Sequence, residues 1–247
     1  MNTDSVLALT ERYELRLSQS PEDVRLAQRL RYEVFNLELK EGLPSALASG
    51  LDVDEFDEVC DHLIVCDRQS GVVVGTYRLQ TGAMAEAGHG YYSEREFDFT
   101  PFSPARGQLV ELGRACVASA HRDQVVVGLL WKGIALYLKK HGARYLTGCS
   151  SLTSQDEAAG LAVYRDLAAT CLVEPKWRTQ PQPGWRCSPD SGTPASIPLP
   201  RLMRAYLAIG VKICGEPAID REFRTIDFLT WLDWETLPPR VLSKFFG

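Results

Sequence analysis

A chain of 247 residues with 45% hydrophobic and 24% charged residues has the composition of a globular protein long enough to bury a sizeable core. It contains no run of about 18 apolar residues, which argues against a membrane-spanning helix. Its opening Met-Asn-Thr-Asp-Ser-Val has no basic stretch leading into an apolar one, so the sequence reads as cytoplasmic and not secreted.

The net charge of −5 divides unevenly: residues 1–111 hold 20 acids and 10 bases, and residues 112–247 hold 12 acids and 17 bases. The later half therefore attracts anionic partners, but its bases are interleaved with acids and lack the clustering of a nucleic-acid stripe, so no nucleic acid is expected. Seven cysteines, Cys60, Cys66, Cys116, Cys149, Cys171, Cys187 and Cys214, include no C-x-x-C pair and read as free thiols in a reducing compartment. The four histidines, His62, His89, His121 and His141, have no ligand spacing, and no metal is expected.

In chain order, Tyr13 to Ser18 alternates as a short strand. Ser20-Pro-Glu-Asp then supplies an N-cap hydroxyl, a proline at the first helical position and acids in the first turn. This predicts a helix to about Leu39, with Val24, Ala27, Leu30, Val34 and Leu37 on its apolar face and Arg31 and Phe35 one turn apart beside it. Residues 41–60 are irregular and acidic: Asp52, Asp54, Glu55, Asp57, Glu58 and Asp61 crowd together and repel one another unless water or a cation offsets them, and the alternation of a calcium loop is absent. Two apolar runs, 61–68 and 72–80, flank Gln69-Ser-Gly71 as a hairpin. Residues 81–107 form a connection through Tyr91-Tyr92-Ser93-Glu94-Arg95-Glu96-Phe97-Asp98.

The chain is organised around the stretch that follows. Leu109 to Ser119 reads as a strand carrying Glu111; a helical face follows from Gly128 to His141, with Gly142 as its stop, and Arg144 to Ser151 reads as the next strand. A turn that launches a helix carries unpaired N–H groups and partial positive charge, the usual seat of a phosphate. With Arg122 ahead of the helix and Glu111 nearby, the pattern points to group transfer from a phosphate-bearing carrier, although an ordinary crossover with surface charges fits the spacing equally well. Ser154-Gln-Asp-Glu157 reads as a capping box opening a helix to about Thr170. Half of the 14 prolines lie between Pro175 and Pro200, a long loop, before a helix to about Ile209 and a strand over 224–232. The expected organisation is one domain over 1–247, with a Pro-rich loop at 175–200 and a C-terminal extension, 201–247, completing the sheet.

These pieces, in this order, resemble the GNAT acyltransferases, and within them the branch of autoinducer synthases and ornithine acyl-carrier-protein N-acyltransferases. The likeness rests on Leu30-Arg31-Tyr-Glu-Val-Phe35, on Asp52-Val-Asp-Glu-Phe-Asp57 followed by Asp61-His62, on Gly75-Thr-Tyr-Arg78-Leu79, and on Glu111-Leu-Gly-Arg114 leading to Leu130-Trp131. The tail, from Tyr206 to Asp220 with Asp227-Phe228-Leu229, is closer to the ornithine-acylating group. The fold implied is α/β, GNAT acyl-CoA N-acyltransferase-like, with a central mixed twisted sheet flanked by helices.

The resemblance implies direct transfer of a long-chain fatty acyl group, with or without a 3-hydroxyl, from an acyl carrier protein thioester to the α-amine of an amino acid, most naturally ornithine. No cofactor is bound; the phosphopantetheine thioester of the carrier is a co-substrate. Glu111 would take the amine's proton and Arg114 would act beside it, orienting the acidic segment or Arg31. Arg31, Phe35, Asp54, Asp57, His62 and Arg78 would shape the substrate site, with the aspartates facing a cationic amino acid. Arg122, Val127 and Gly128 would receive the carrier's pantetheine arm. The stretch Arg122-Asp-Gln-Val-Val-Val-Gly128 keeps only its final glycine, so its backbone approaches a pyrophosphate less closely, which favours acyl carrier protein over coenzyme A. A lipid product implies peripheral contact with the inner face of the cell membrane. Two other readings stay open: an autoinducer synthase using S-adenosylmethionine, and a non-catalytic acyl-binding module.

Overall fold

The computed structural model describes residues 6–188 and 197–246. In chain order its strands are β1 (Val6–Leu9), β2 (Tyr13–Leu17), β3 (Asp61–Asp67), β4 (Val73–Thr81), β5 (Leu109–Val117), β6 (Tyr145–Leu152), β7 (Lys212–Ile213), β8 (Ala218–Asp220) and β9 (Thr225–Asp233). Its α-helices are α1 (Pro21–Arg31), α2 (Ala46–Ser49), α3 (Gly82–Ala87), α4 (Gln124–His141), α5 (Glu157–Cys171), α6 (Arg201–Ala208) and α7 (Pro239–Phe246). The contacts divide the chain into two compact units. The first comprises Met1–Gly88, Leu112–Ala143 and Pro238–Gly247, and the second His89–Glu111 and Arg144–Leu237, so the boundary falls inside β5, just after Glu111.

In the first unit, β1 to β4 form an antiparallel meander with the expected hairpin at Gly71, whose φ of 72° suits glycine. Successive residues of β3 face opposite sides. Ile64 packs into a cluster with Ala27, Leu30 and Val34 of the α1 segment. Leu63, on the other side, meets α4 so closely that a Cβ on Gly133 would lie 2.9 Å from it. Helix α1 starts as expected, with Ser20 Oγ accepting from the Asp23 amide and Pro21 at its first position. Beyond Arg31 it continues to Leu39 as a π-helix, ended by Lys40 in the left-handed region at φ 62°. Helix α4 starts four residues before Gly128, because the Asp123 carboxylate caps it by accepting from the Val125 and Val126 amides, each at 3.0 Å.

In the second unit, β6 pairs antiparallel with β9 along its whole length, and β7 and β8 pair with β9. The parallel ladder between β5 and β6 runs from Leu109↔Tyr145 to Glu111↔Thr147. One face of this sheet packs Leu152, Ile226 and Phe228 with Leu167 of α5 and Met203 of α6. An aromatic stack of Phe102, Trp177, Trp231 and Tyr145 fills another part of the unit. Asp156, not Ser154, caps α5, with the Ala159 amide donating to it at 3.0 Å. The Pro-rich stretch contains short 3-10 turns at Pro175–Trp177 and Pro183–Trp185, tied down by bridges Phe97↔Pro181 and Arg186↔Ala218. Pro189 and Pro194 of that stretch lie outside the described residues.

Candidate active site

Two polar clusters stand out, one inside each unit. In the second, Glu111 is the last residue of the β5–β6 ladder and only 4% exposed. The Tyr92 amide donates to its Oε2 at 2.7 Å, and the Ser93 amide and Ser93 Oγ donate to its Oε1 at 2.8 and 2.5 Å. These amides open the 3-10 turn Tyr92–Arg95 and have no partner within it, so the strand's carboxylate caps the turn and is held in one orientation by it.

The same turn extends the cluster. Ser93 Oγ lies 3.3 Å from Cys149 Sγ, which donates at 3.8 Å to Glu96 Oε2. Glu96, Cys149 and Asp227 bring ligand-capable atoms within 4.8 Å of one another. Burial, reinforced by Asp227 and Asp220, pushes the Glu96 carboxyl well above the usual carboxylate range, and burial lifts Asp227 to about 6. Burial and the neighbouring acids also push the Cys149 thiol up, and burial lifts Cys116 to about 12, so neither is a thiolate nucleophile at neutral pH.

In the first unit, three arginines meet three aspartates. Arg31, fully buried, donates through Nε to Asp52 Oδ1 at 2.8 Å and through both terminal nitrogens to Asp57, at 2.8 and 2.6 Å. Arg114 donates through Nε to Asp52 Oδ1 at 3.1 Å and through a terminal nitrogen to Oδ2. Arg78 donates to Asp54 and, at 3.0 Å, to Asp57. Burial opposes the charge on Asp57, but the Arg31 fork overcomes it and holds the carboxyl well below the usual range.

Arg114 adopts φ 52°, a left-handed conformation that breaks the strand's alternation and frees its side chain from the face that simple pleating would assign. Its guanidinium stacks 4.8 Å from the centroid of Phe35. His62 Nε2 is 3.2 Å from the Asp57 carbonyl oxygen, and burial lowers its pKa, keeping the ring neutral. Arg31, Phe35, Asp54, Asp57, His62, Arg78 and Arg114 are thus brought together in one unit. Both oxygens of Asp57 are engaged by donors, while Asp54 keeps Oδ2 without a hydrogen-bond partner.

Arg122, Val127 and Gly128 lie apart from that cluster, around the start of α4. Arg122 forks onto Glu38 and donates to the Val117 carbonyl at 3.0 Å. The Asp123 cap already serves two amides of the helix start. Val127 is exposed, and open space surrounds Gly128 where a Cβ would stand.

The sequence reading left Ser93, Glu96, Cys149 and Asp227 without a role. The available signal was local: four consecutive polar residues, Ser93 to Glu96, and an acid on a β-strand otherwise apolar at Phe228 and Leu229.

A profile of the family described as "Acetyltransferase (GNAT) domain" matches residues 30–132. An L-ornithine N(alpha)-acyltransferase of Agrobacterium fabrum is 33% identical over 251 residues, spanning 95% of this chain and 85% of the relative. One from Brucella abortus is 32% identical over 249 residues, spanning 94% and 88%. The solved structure of FeeM, an N-acyl amino acid synthase from uncultured soil microbes, shares the fold at a TM-score of 0.53 and 12% identity, covering 92% of this chain and 93% of that one. The mixed sheet flanked by helices is thus the GNAT fold, and with a third of its residues shared along nearly its whole length, the chain belongs to the L-ornithine N(alpha)-acyltransferase family of GNAT enzymes.

Proposed function

We propose that this enzyme moves a long-chain fatty acyl group from the phosphopantetheine thioester of an acyl carrier protein to the α-amine of L-ornithine, giving an N-acyl-ornithine. The full-length identity to enzymes named for that reaction carries the reading. In the reaction the thioester C–S bond breaks and an amide C–N bond forms; the acceptor's ammonium loses one proton before attack and a second as the tetrahedral adduct collapses, the departing thiolate takes up one of them, and the other is released to water.

Glu111 takes the acceptor's proton, directly or through water. Its orientation by Tyr92 and Ser93 supports the role, since a base aimed in advance loses less freedom in the transition state. The Arg31, Arg78 and Arg114 network with Asp52, Asp54 and Asp57 frames the first unit, with Phe35 and His62 packed into it. Arg122, Val127 and Gly128 receive the pantetheine arm, and the basic residues of the later half draw in an acidic carrier.

Peripheral membrane contact is supported by Leu37, Leu39, Leu47 and Val53, exposed apolar side chains within one short stretch. No helix among the described residues is long and apolar enough to cross a membrane.

Purified protein incubated with long-chain acyl carrier protein or acyl-coenzyme A and a panel of amino acids, with products identified by mass spectrometry, tests the reading. Acyl-ornithine formed faster from the carrier protein is the expected result. A strong coenzyme A preference overturns the donor assignment, and a homoserine lactone product overturns the acceptor.

A further inference from the structure

The two clusters differ in their charge balance. Each aspartate of the first unit's network has at least one arginine partner. The charged groups that bear most on Glu96, by contrast, are Asp227, Asp220 and Glu111, all acidic. Glu96 and Asp227 are 1% and 5% exposed, and Glu96 Oε1 and Asp227 Oδ1 have no hydrogen-bond partner among the described residues. Two buried oxygens of neighbouring carboxyls without a donor among the described residues are costly unless a proton or cation offsets them.

Their place on the sheet narrows the choice of cation. Cys149 and Ser151 are two residues apart on β6 and point to the same face, and Asp227 is the cross-strand partner of Ser151. Ser151 is exposed and bonds the Asp227 carboxylate, so the acids lie one side chain beneath the surface. Glu111 joins the group through Ser93, which touches both Glu111 and Cys149. A ligand whose reacting amine is served by Glu111 would therefore carry a second positive group, a few methylenes away, to the Glu96–Asp227 pair.

We infer that Glu96 and Asp227 seat the side-chain ammonium of a diamino-acid acceptor and make the enzyme choose ornithine over neutral amino acids. This deepens, and rests on, the acyl-ornithine reading. An ammonium has three donors and no acceptor, matching the unpartnered oxygens. The upward push on both carboxyls fits a pair that shares a proton when no other cation is present and yields it to water as the ammonium arrives. Compact geometry and two carboxylates favour an ammonium over a guanidinium, whose planar fork prefers a single carboxylate met side-on.

The test compares ornithine with norvaline, which has the same carbon chain without the terminal amine, in wild type, Glu96→Gln and Asp227→Asn, with metal content measured on the same preparations. For Asp227→Asn, kcat/KM for ornithine falls about 100-fold, mostly through KM, while norvaline is used as well as or better than by wild type. Glu96→Gln shifts the preference the same way, and covers the case in which one variant fails to fold. An unchanged ornithine-to-norvaline ratio in folded variants overturns the proposal while leaving acyl transfer intact. Stoichiometric divalent metal lost with either substitution also overturns it, since the pair would then be a metal site. Silence of the wild type toward every amine overturns the underlying reading and this one together.

Discussion

The first unit's cluster pairs its charges internally, whereas the second unit's cluster leaves acids facing one another. Arg31, Arg78 and Arg114 against Asp52, Asp54 and Asp57 form a closed network of the kind that fixes geometry: each group is held by another group of the protein. Glu96, Asp227 and Glu111 form a group held mainly by amides, hydroxyls and a thiol. A frame can be complete by itself, but a site for a cationic substrate retains unbalanced charge of opposite sign. On the proposed reading, this difference in balance separates the residues that build the enzyme from those that would meet its acceptor.

Breaking the frame has the largest expected effect. Replacing Arg31 with Met leaves Asp52 and Asp57 buried without their fork, and denaturant unfolding should show a loss of about 3–5 kcal/mol. Replacing Glu111 with Gln removes the base and leaves an acceptor for only one of the Tyr92 and Ser93 amides, so kcat should drop on the order of 10²–10⁴-fold with a modest fall in unfolding midpoint.

Opposite pH responses sharpen the comparison. Asp57 has a folded pKa below its ordinary 3.8, so its stabilisation is present above that value and lost as pH falls below it; Asp57→Asn removes this acid-side dependence. Asp227 is raised from 3.8 to about 6, so its contribution is present below 3.8 and lost as pH rises towards 6. Asp227→Asn should consequently be more stable than wild type above pH 6, by on the order of 2 kcal/mol. Thermal unfolding across pH reads both slopes. The smallest effect belongs to Phe35→Leu, which removes the ring under Arg114 and should cost about 1 kcal/mol while leaving the ion pairs in place.

Much of the fold was legible because it depends on neighbours in sequence. Ser20 and Pro21 start α1, Gly71 turns the hairpin and Gly142 stops α4, each through backbone chemistry within a few residues. The π-helical continuation over Tyr32–Leu39 was not legible, since a wider helical turn leaves no mark in a pattern sought at period 3.6. The start of α4 was missed because Asp123 competes with Gly128 as a punctuation mark, and the carboxylate cap wins.

For the site, family motifs drew attention to Arg31, Asp57, Arg78 and Arg114, and to Glu111. That Asp57 is engaged by two arginines depends on contacts across 21 and 26 positions, beyond any local pattern. Ser93, Glu96, Cys149 and Asp227 meet only because β6, β9 and a 3-10 turn converge, with Ser93 reaching 56 positions to Cys149.

The most direct test of the central claim is a single-turnover experiment in which acyl carrier protein loaded with a long-chain acyl group is mixed with excess ornithine and either wild type or Glu111→Gln. Burst formation of acyl-ornithine by wild type, slowed at least 100-fold in the variant at neutral pH and partly recovered as rising pH deprotonates the amine, is what the account predicts. Equal rates in the two proteins would contradict it.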